Sequence, residues 1–176
     1  SGGIFGSSLS FDGTDDYIDL GNGSGIRDFT DQITVSAWAK YNAYGGGGQS
    51  YSVIAVKGDP WTFLLENYSS KIRFRVTVGG LDKNATDSQV HELNRWYHFV
   101  GTYDGANIKI YKDGKLVGTT PATGNLAVSD VTAKIGTYQG TNYNFNGQID
   151  DVRIYNYALT QEQIKLLYND NAAVRF

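Results

Sequence analysis

Short runs of alternating apolar and polar residues, separated by turn-forming residues, make up most of the chain. Residues Ile33–Lys40 show the pattern clearly, with isoleucine, valine or alanine at every second position. Alternation with a period of two predicts a β-strand that buries one face. The segment Ile108–Thr119 has an Asp-Gly pair near its centre, which favours the tight turn of a β-hairpin. About eleven such strands predict an all-β, antiparallel two-sheet β-sandwich.

The C-terminal part of the chain departs from this pattern. Thr160 precedes apolar residues at helical spacing, and Gln163 stands where it completes a capping box. We therefore predict one short C-terminal helix. Elsewhere, Ala133–Tyr138 is predicted to be a strand, and the polar segment Gly79–Leu93 is predicted to be mostly loop.

Composition narrows the class of protein. The 176 residues suffice for a single domain over residues 1–176. A net charge of −3 gives no electrostatic reason to expect nucleic acid as a partner, and no apolar run is long enough for membrane insertion. The absence of methionine predicts a piece of a longer or processed protein. Other domains of a parent chain are therefore expected partners.

Two groups of aspartates are candidates for metal binding. One group lies near the start of the chain, and the other is an adjacent pair inside the predicted strand Asn146–Asn156. Strand interiors are depleted of aspartate, and at most one of two neighbours can face the core. We hypothesise that both groups meet around one calcium ion; alternatively, they cap a turn and bind amides at a β-bulge. The candidate ligands are Asp12, Asp15, Asp16, Asp150 and Asp151.

The three tryptophans differ in their setting. Trp38 and Trp96 lie within strands and are predicted to pack in the core, whereas Trp61 follows turn-forming residues at a strand start. An exposed aromatic ring can stack on a sugar ring while polar neighbours bind the hydroxyls; the alternative is that Trp61 covers the edge of the core. The candidate sugar-binding residues are Trp61, Tyr44, Tyr51 and Tyr68, with Asn67, Arg73, Arg75 and Asn142 as polar partners.

The segment Asn142–Asn146 alternates amide and aromatic side chains. This composition suits a second recognition loop for polyols. It suits a turn-rich connection equally well, because asparagine is common in turns.

Motifs at both ends and in the middle of the chain carry a family resemblance. Ser10–Ile18, Arg95–Gly105, Tyr111–Gly114 and Gly147–Leu159 resemble, in this order, motifs of laminin G-like, concanavalin A-like jelly rolls. The resemblance implies a jelly-roll sandwich and a structural calcium ion whose first ligands are Asp12 and Asp151. It also implies that His98 is a hydrogen-bonded structural residue of the central strand.

Catalytic motifs are missing from the sequence. The three glutamates are isolated, no Gly-x-Ser-x-Gly elbow occurs, and the two histidines lack zinc-type spacing. These absences predict a non-catalytic module. The family resemblance, with the loops rich in tyrosine, tryptophan and asparagine, implies a poly- or oligosaccharide as ligand, calcium as structural cofactor and a place in a larger secreted or cell-surface protein. The alternative is a protein–protein adhesion or spacer module.

Overall fold

The computed structural model describes residues 2–23, 29–45, 50–58, 61–138 and 143–170. The elements in these ranges are β1 (Gly2–Gly3), β2 (Gly6–Ser7), β3 (Leu9–Asp12), β4 (Ile18–Gly21), β5 (Ile33–Ala43), β6 (Tyr51–Gly58), β7 (Trp61–Tyr68), β8 (Lys71–Val78), β9 (Leu81–Thr86), β10 (Trp96–Tyr103), β11 (Asn107–Lys112), β12 (Lys115–Pro121), β13 (Ala133–Ile135), β14 (Asn146–Tyr155) and the helix α1 (Gln161–Asp170). In this part of the chain, no helix has the length and apolarity needed to cross a membrane.

The strands form two six-stranded sheets, which confirms the predicted all-β sandwich. The first sheet has the order β12-β11-β10-β5-β14-β3, and the second sheet has the order β4-β13-β6-β7-β8-β9. Neighbouring strands are antiparallel in both sheets. Strands β1 and β2 form a separate short hairpin. The long strands β5, β6, β7 and β14 thus lie inside the sheets, where both edges are paired.

The core lies between the two sheets and follows from the alternation in each strand. In β8, Ile72, Phe74 and Val76 are fully buried in the core, and the arginines between them face the other side of the sheet. In β5, Ile33 and Val35 face the core in the same way. Full burial of each large apolar side chain contributes about 1.5–3 kcal/mol, so the pattern fixes which face of each strand points inwards.

The predicted C-terminal helix is present and covers the outer face of the first sheet. Thr160 and Gln163 form the capping box, with their backbone N–H groups donating to each other's side-chain oxygens at 2.8 and 3.3 Å. Ile164 is buried against the sheet. The ring of Tyr168 stacks on Trp38 with 5.7 Å between centroids, so Trp38 is buried, as predicted. Trp96, which was also predicted to pack in the core, is only half-buried, at the start of β10.

The sequence analysis missed one strand and placed the end of another too late. The segment predicted to be mostly loop contains β9, which pairs with β8 along its whole length. Its residues have low strand propensity, so the pairing with β8 determines its conformation. The predicted strand Ala133–Tyr138 ends at Ile135, because Gly136 takes a φ of +88° and leaves the sheet beside the ring of Phe11.

Candidate functional site

A cavity of about 280 Å³ opens on the outer face of the second sheet, over β6, β7 and β8. Alternation in β7 explains its position, because Leu64 and Glu66 line the cavity while Phe63 and Leu65 are buried between the sheets. The lining combines four aromatic rings, three charged groups and two aliphatic side chains, one of which is Val53. We call this the second-sheet cavity.

The aromatic rings form one wall of the second-sheet cavity. Trp61 and Tyr138 are stacked, with 5.1 Å between centroids and an angle of 28° between planes. Tyr51 meets Tyr143 edge to face at 5.6 Å. Tyr143 has a φ of +60°, and its carbonyl oxygen accepts a hydrogen bond of 3.0 Å from the N–H of Val53. The loop before β14 is thereby held against the second sheet, with its tyrosine ring in the wall.

Three charged groups complete the lining, and one of them, Arg75, lies beside the aromatic wall. Glu66 pairs directly with Arg73 in the β7–β8 register. Arg73 donates from Nε and Nη2 to Glu66 Oε1 at 2.8 and 2.5 Å, and Arg75 Nη2 lies 3.4 Å from the same oxygen. Burial raises the pKa of Glu66, and the two guanidinium groups oppose that rise. The result is a partly buried ion-pair cluster beside flat apolar rings.

The structure gathers half of the predicted sugar-binding residues. Trp61, Tyr51, Arg73 and Arg75 line the second-sheet cavity. Tyr68 lies behind the lining, with its ring 4.8 Å from that of Tyr51 and the guanidinium of Arg73 3.7 Å above it.

The other predicted polar and aromatic partners lie elsewhere. Asn67 is fully buried and donates to the carbonyl oxygen of Tyr44, because it points to the core side of β7. The hydroxyl of Tyr44 donates to the carbonyl of His91, away from the cavity. Neither residue lines the cavity, although the sequence prediction grouped both with Trp61. Asn142 lies outside the described residues.

Five lining residues were not among the predicted sugar-binding residues: Val53, Leu64, Glu66, Tyr138 and Tyr143. Glu66 could have been recognised by pairing the two predicted strands, because this pairing places it opposite Arg73. Tyr143 belongs to Asn142–Asn146, the segment interpreted above as either a recognition loop or a turn-rich connection. The two aromatic residues of this segment have different positions in the structure. Tyr143 lines the cavity, whereas Phe145 is buried in the core.

The two aspartate groups lie at opposite ends of the β3–β14 pairing. Asp12 pairs with Asn146, and Leu9, at the other end of β3, pairs with Ile149. Asp150 is therefore four residues, roughly 13 Å, further along β14 than the partner of Asp12. Oxygen ligands of one calcium ion lie about 2.3–2.6 Å from it, so one ion cannot take both groups. The hypothesis of a shared ion does not fit this register.

The two aspartates in β14, Asp150 and Asp151, form hydrogen bonds within the domain. Asp150 Oδ2 accepts backbone hydrogen bonds from Ile4 and Phe5 at 2.8 and 3.1 Å, which ties the β1–β2 hairpin to β14. Asp151 takes a φ of +48° where the register shifts, and its Oδ1 accepts from Arg153 Nε at 2.8 Å. These contacts are those of the β-bulge that the sequence allowed as an alternative.

The sequence matches, over residues 12–165, the family described as the concanavalin A-like lectin/glucanases superfamily. C-reactive protein 3.3 of Limulus polyphemus is 26% identical over 149 residues, which cover 77% of this chain and 61% of that protein. Botulinum-like toxin Wo of Weissella oryzae is 29% identical over 79 residues, 45% of this chain and 6% of the toxin. The chain thus spans less than two thirds of the length of either relative.

Among solved structures, domain 4 of AbnA is similar to this chain. AbnA is a GH43 extracellular arabinanase from Geobacillus stearothermophilus, and its domain 4 was solved in complex with arabinotriose. The TM-score is 0.77 at 20% identity, and the likeness covers 96% of this chain and 79% of that one. At this identity the likeness establishes a shared fold.

Proposed function

Because the chain belongs to the concanavalin A-like lectin/glucanases superfamily, we propose that it is a non-catalytic carbohydrate-binding module. Its ligand is an oligo- or polysaccharide, bound in the second-sheet cavity. The observation that carries this proposal is the stacked Trp61–Tyr138 wall beside the cluster of Glu66, Arg73 and Arg75 in one open cavity. Flat rings suit the apolar faces of sugars, and charged donors and acceptors suit their hydroxyl groups.

The carboxylate content of the cavity supports a binding role over hydrolysis. Glycoside hydrolases commonly need two carboxyl groups that flank the scissile bond. Among the described residues that line the cavity, Glu66 is the one carboxylate, and its Oε1 is held by two arginines. A raised pKa alone does not supply the second group that hydrolysis needs.

The names of the relatives support a place in a larger secreted or cell-surface protein. The AbnA domain belongs to an extracellular enzyme, and the matched part of the Weissella toxin is a small fraction of that chain. We therefore infer that other domains of a parent chain accompany this module. A protein–protein adhesion or spacer module is the alternative.

The proposal predicts that Trp61→Ala lowers glycan affinity by about 30-fold or more, as for a buried aromatic that anchors a ligand. A glycan array identifies the ligand, and isothermal titration with that ligand measures the affinity. Tyr157→Ala is the matched control, because it removes an exposed aromatic ring just beyond the C-terminal end of β14, which belongs to the other sheet. Equal affinities in both variants would contradict the site. A blank array with folded protein would contradict the function and favour the adhesion alternative.

We also propose a structural calcium ion, now confined to the turn of Asp12 and Asp16. The side chain of Asp16 reaches the backbone of Asp12, whose N–H donates to Asp16 Oδ2 at 3.0 Å. Within the described ranges, no group of three or more histidine, cysteine or acidic side chains is placed to hold a metal ion. Main-chain carbonyls and water would therefore have to complete the six to eight oxygens that calcium takes.

If calcium binds at this turn, removing it with a chelator lowers the Tm through binding linkage. Asp12→Asn is expected to abolish this response and keep the turn, because an amide oxygen can still accept from the N–H of Thr14, as Asp12 Oδ1 does at 2.7 Å. Asp151→Asn is the control and retains the response. An unchanged melting curve after verified metal removal contradicts the ion. A response lost only in Asp151→Asn contradicts its placement.

A further inference from the structure

The charged groups that line the second-sheet cavity do not balance. Two arginines, Arg73 and Arg75, face one carboxylate, Glu66, which gives these residues a formal charge of +1. The whole chain has a net charge of −3, so the charged residues that line the cavity have the opposite sign to the molecule. A partly enclosed cavity with low-dielectric walls strengthens the effect of one unbalanced charge.

The two arginines have different roles. Arg73 is buried, donates twice to Glu66 and lies 3.7 Å above the ring of Tyr68. Its guanidinium group is therefore already engaged in contacts within the domain. The side chain of Arg75 is 21% exposed, and its ion pair with Glu66 is a longer contact of 3.4 Å. Its guanidinium also lies 5.3 Å from the ring centroid of Trp61. Arg75 therefore carries the surplus charge, and it lies beside the aromatic wall.

We propose that the second-sheet cavity binds an acidic saccharide, with a carboxylate of the sugar paired to Arg75 and the ring against Trp61. This rests on the proposed carbohydrate-binding function and names the class of sugar. A guanidinium presents two parallel N–H donors that match a carboxylate, and that pairing is stronger than a bond to a neutral hydroxyl. Because Arg75 and Trp61 are neighbours, one uronate residue can contact both at once.

The next strand extends this polar side of the cavity. Asn84 in β9 pairs directly with Arg75, and Thr86 pairs with Arg73. Residues directly opposite each other in an antiparallel pair share a face of the sheet. Asn84 is exposed and is hydrogen-bonded to the hydroxyl of Thr86 at 3.0 Å. A saccharide whose acidic group meets Arg75 would continue from the aromatic wall towards these polar side chains.

The test uses three ligands that separate charge from ring stacking. Isothermal titration compares trigalacturonate, its fully methyl-esterified form and neutral arabinotriose at low salt. We expect trigalacturonate to bind about tenfold or more tightly than its ester, as a charge-assisted contact requires, and to weaken as salt is added. Arg75→Gln should remove most of this difference between acid and ester. Arg75→Lys keeps the charge but lacks the two parallel N–H donors of the guanidinium, so it should retain part of the affinity difference between acid and ester.

The outcomes distinguish this inference from the function on which it rests. Equal affinity for acid and ester, or binding of arabinotriose or another neutral array glycan without binding of uronates, overturns the acidic preference and leaves the binding module intact. A gap between acid and ester that persists in Arg75→Gln overturns the role of Arg75. Failure of the folded protein to bind any of the three ligands or any array glycan overturns both proposals.

Discussion

Between pH 7 and pH 5, the free energy of unfolding is expected to fall by about 2 kcal/mol for each of two buried histidines. Burial lowers the pKa of His91 and of His98 to about 4, whereas an unfolded histidine titrates near 6.5. The unfolded chain therefore binds protons in this range that the folded chain does not. The contribution of the neutral rings is complete above about pH 7 and is lost as the pH falls from 6.5 towards 4.

The surroundings of His91 explain its low pKa. Its ring lies 4.7 Å from that of Tyr41 and 5.5 Å from that of Phe99. Within the described part of the chain, neither ring nitrogen has a hydrogen-bond partner. The charge of Lys112 adds to the effect of burial, and Asp87 opposes it. A protonated imidazole at this place would have no acceptor to offset its lost hydration.

His98 is buried beneath the C-terminal helix. Its Nε2 and the hydroxyl of Ser36 are 2.8 Å apart, which confirms the predicted hydrogen-bonded structural role. Its ring lies 5.2 Å from that of Trp38 and 6.2 Å from that of Tyr168. Burial is the main cause of its low pKa, and the charge of Arg153 adds to it.

Urea denaturation at a series of pH values measures this effect in the wild type, His91→Phe, His98→Asn and the double variant. Each replacement should reduce the loss of stability between pH 7 and pH 5 by about 2 kcal/mol, whatever its effect at pH 7. Glu66 and Asp113 have raised pKa values in the folded chain, so these two groups increase the free energy of unfolding as the pH falls. They are present in every variant and cancel in the comparison. Equal losses in the wild type and the double variant would contradict the assignment.

The sequence carried enough information for the fold because the fold depends on local patterns. Period-two alternation in Ile33–Lys40 marked β5, and the Thr160 capping box marked the start of α1. Strand β9 was missed because its propensity is weak and its stability comes from pairing with β8. Local signals identify elements that have an apolar face of their own, and an edge strand of polar residues has none.

The candidate site was only half predictable because it is assembled from distant segments. Trp61 and Tyr51 were recognisable as aromatics at strand starts, but Tyr138 reaches Trp61 through the pairing of β13 with β6. The inward direction of Asn67 depends on the register of β7, since a shift of one residue exchanges the faces of a strand. The separation of the two aspartate groups depends likewise on the β3–β14 register. Register is a tertiary property, and composition does not encode it.

Gly147→Ala is expected to lower the free energy of unfolding by about 3 kcal/mol or more. Gly147 has a φ of +147°, and a Cβ added to it would lie 2.1 Å from the carbonyl oxygen of Lys40. The glycine pairs with Phe11 on one side and Tyr41 on the other, at a register shift in β14. The backbone cannot move away from Lys40 without disturbing the pairing of β14 with both of its neighbours.

Gly80→Ala separates this clash from backbone strain alone. Gly80 also has a positive φ, +78°, but a Cβ added there has no atom within 4 Å. Its replacement should cost about 1–2 kcal/mol, the strain of a left-handed residue. Urea denaturation of both variants with a check that m is unchanged measures the difference. Similar losses in the two variants would contradict the steric argument. A larger loss in Gly147→Ala shows that this glycine is needed where β14 approaches the backbone of β5.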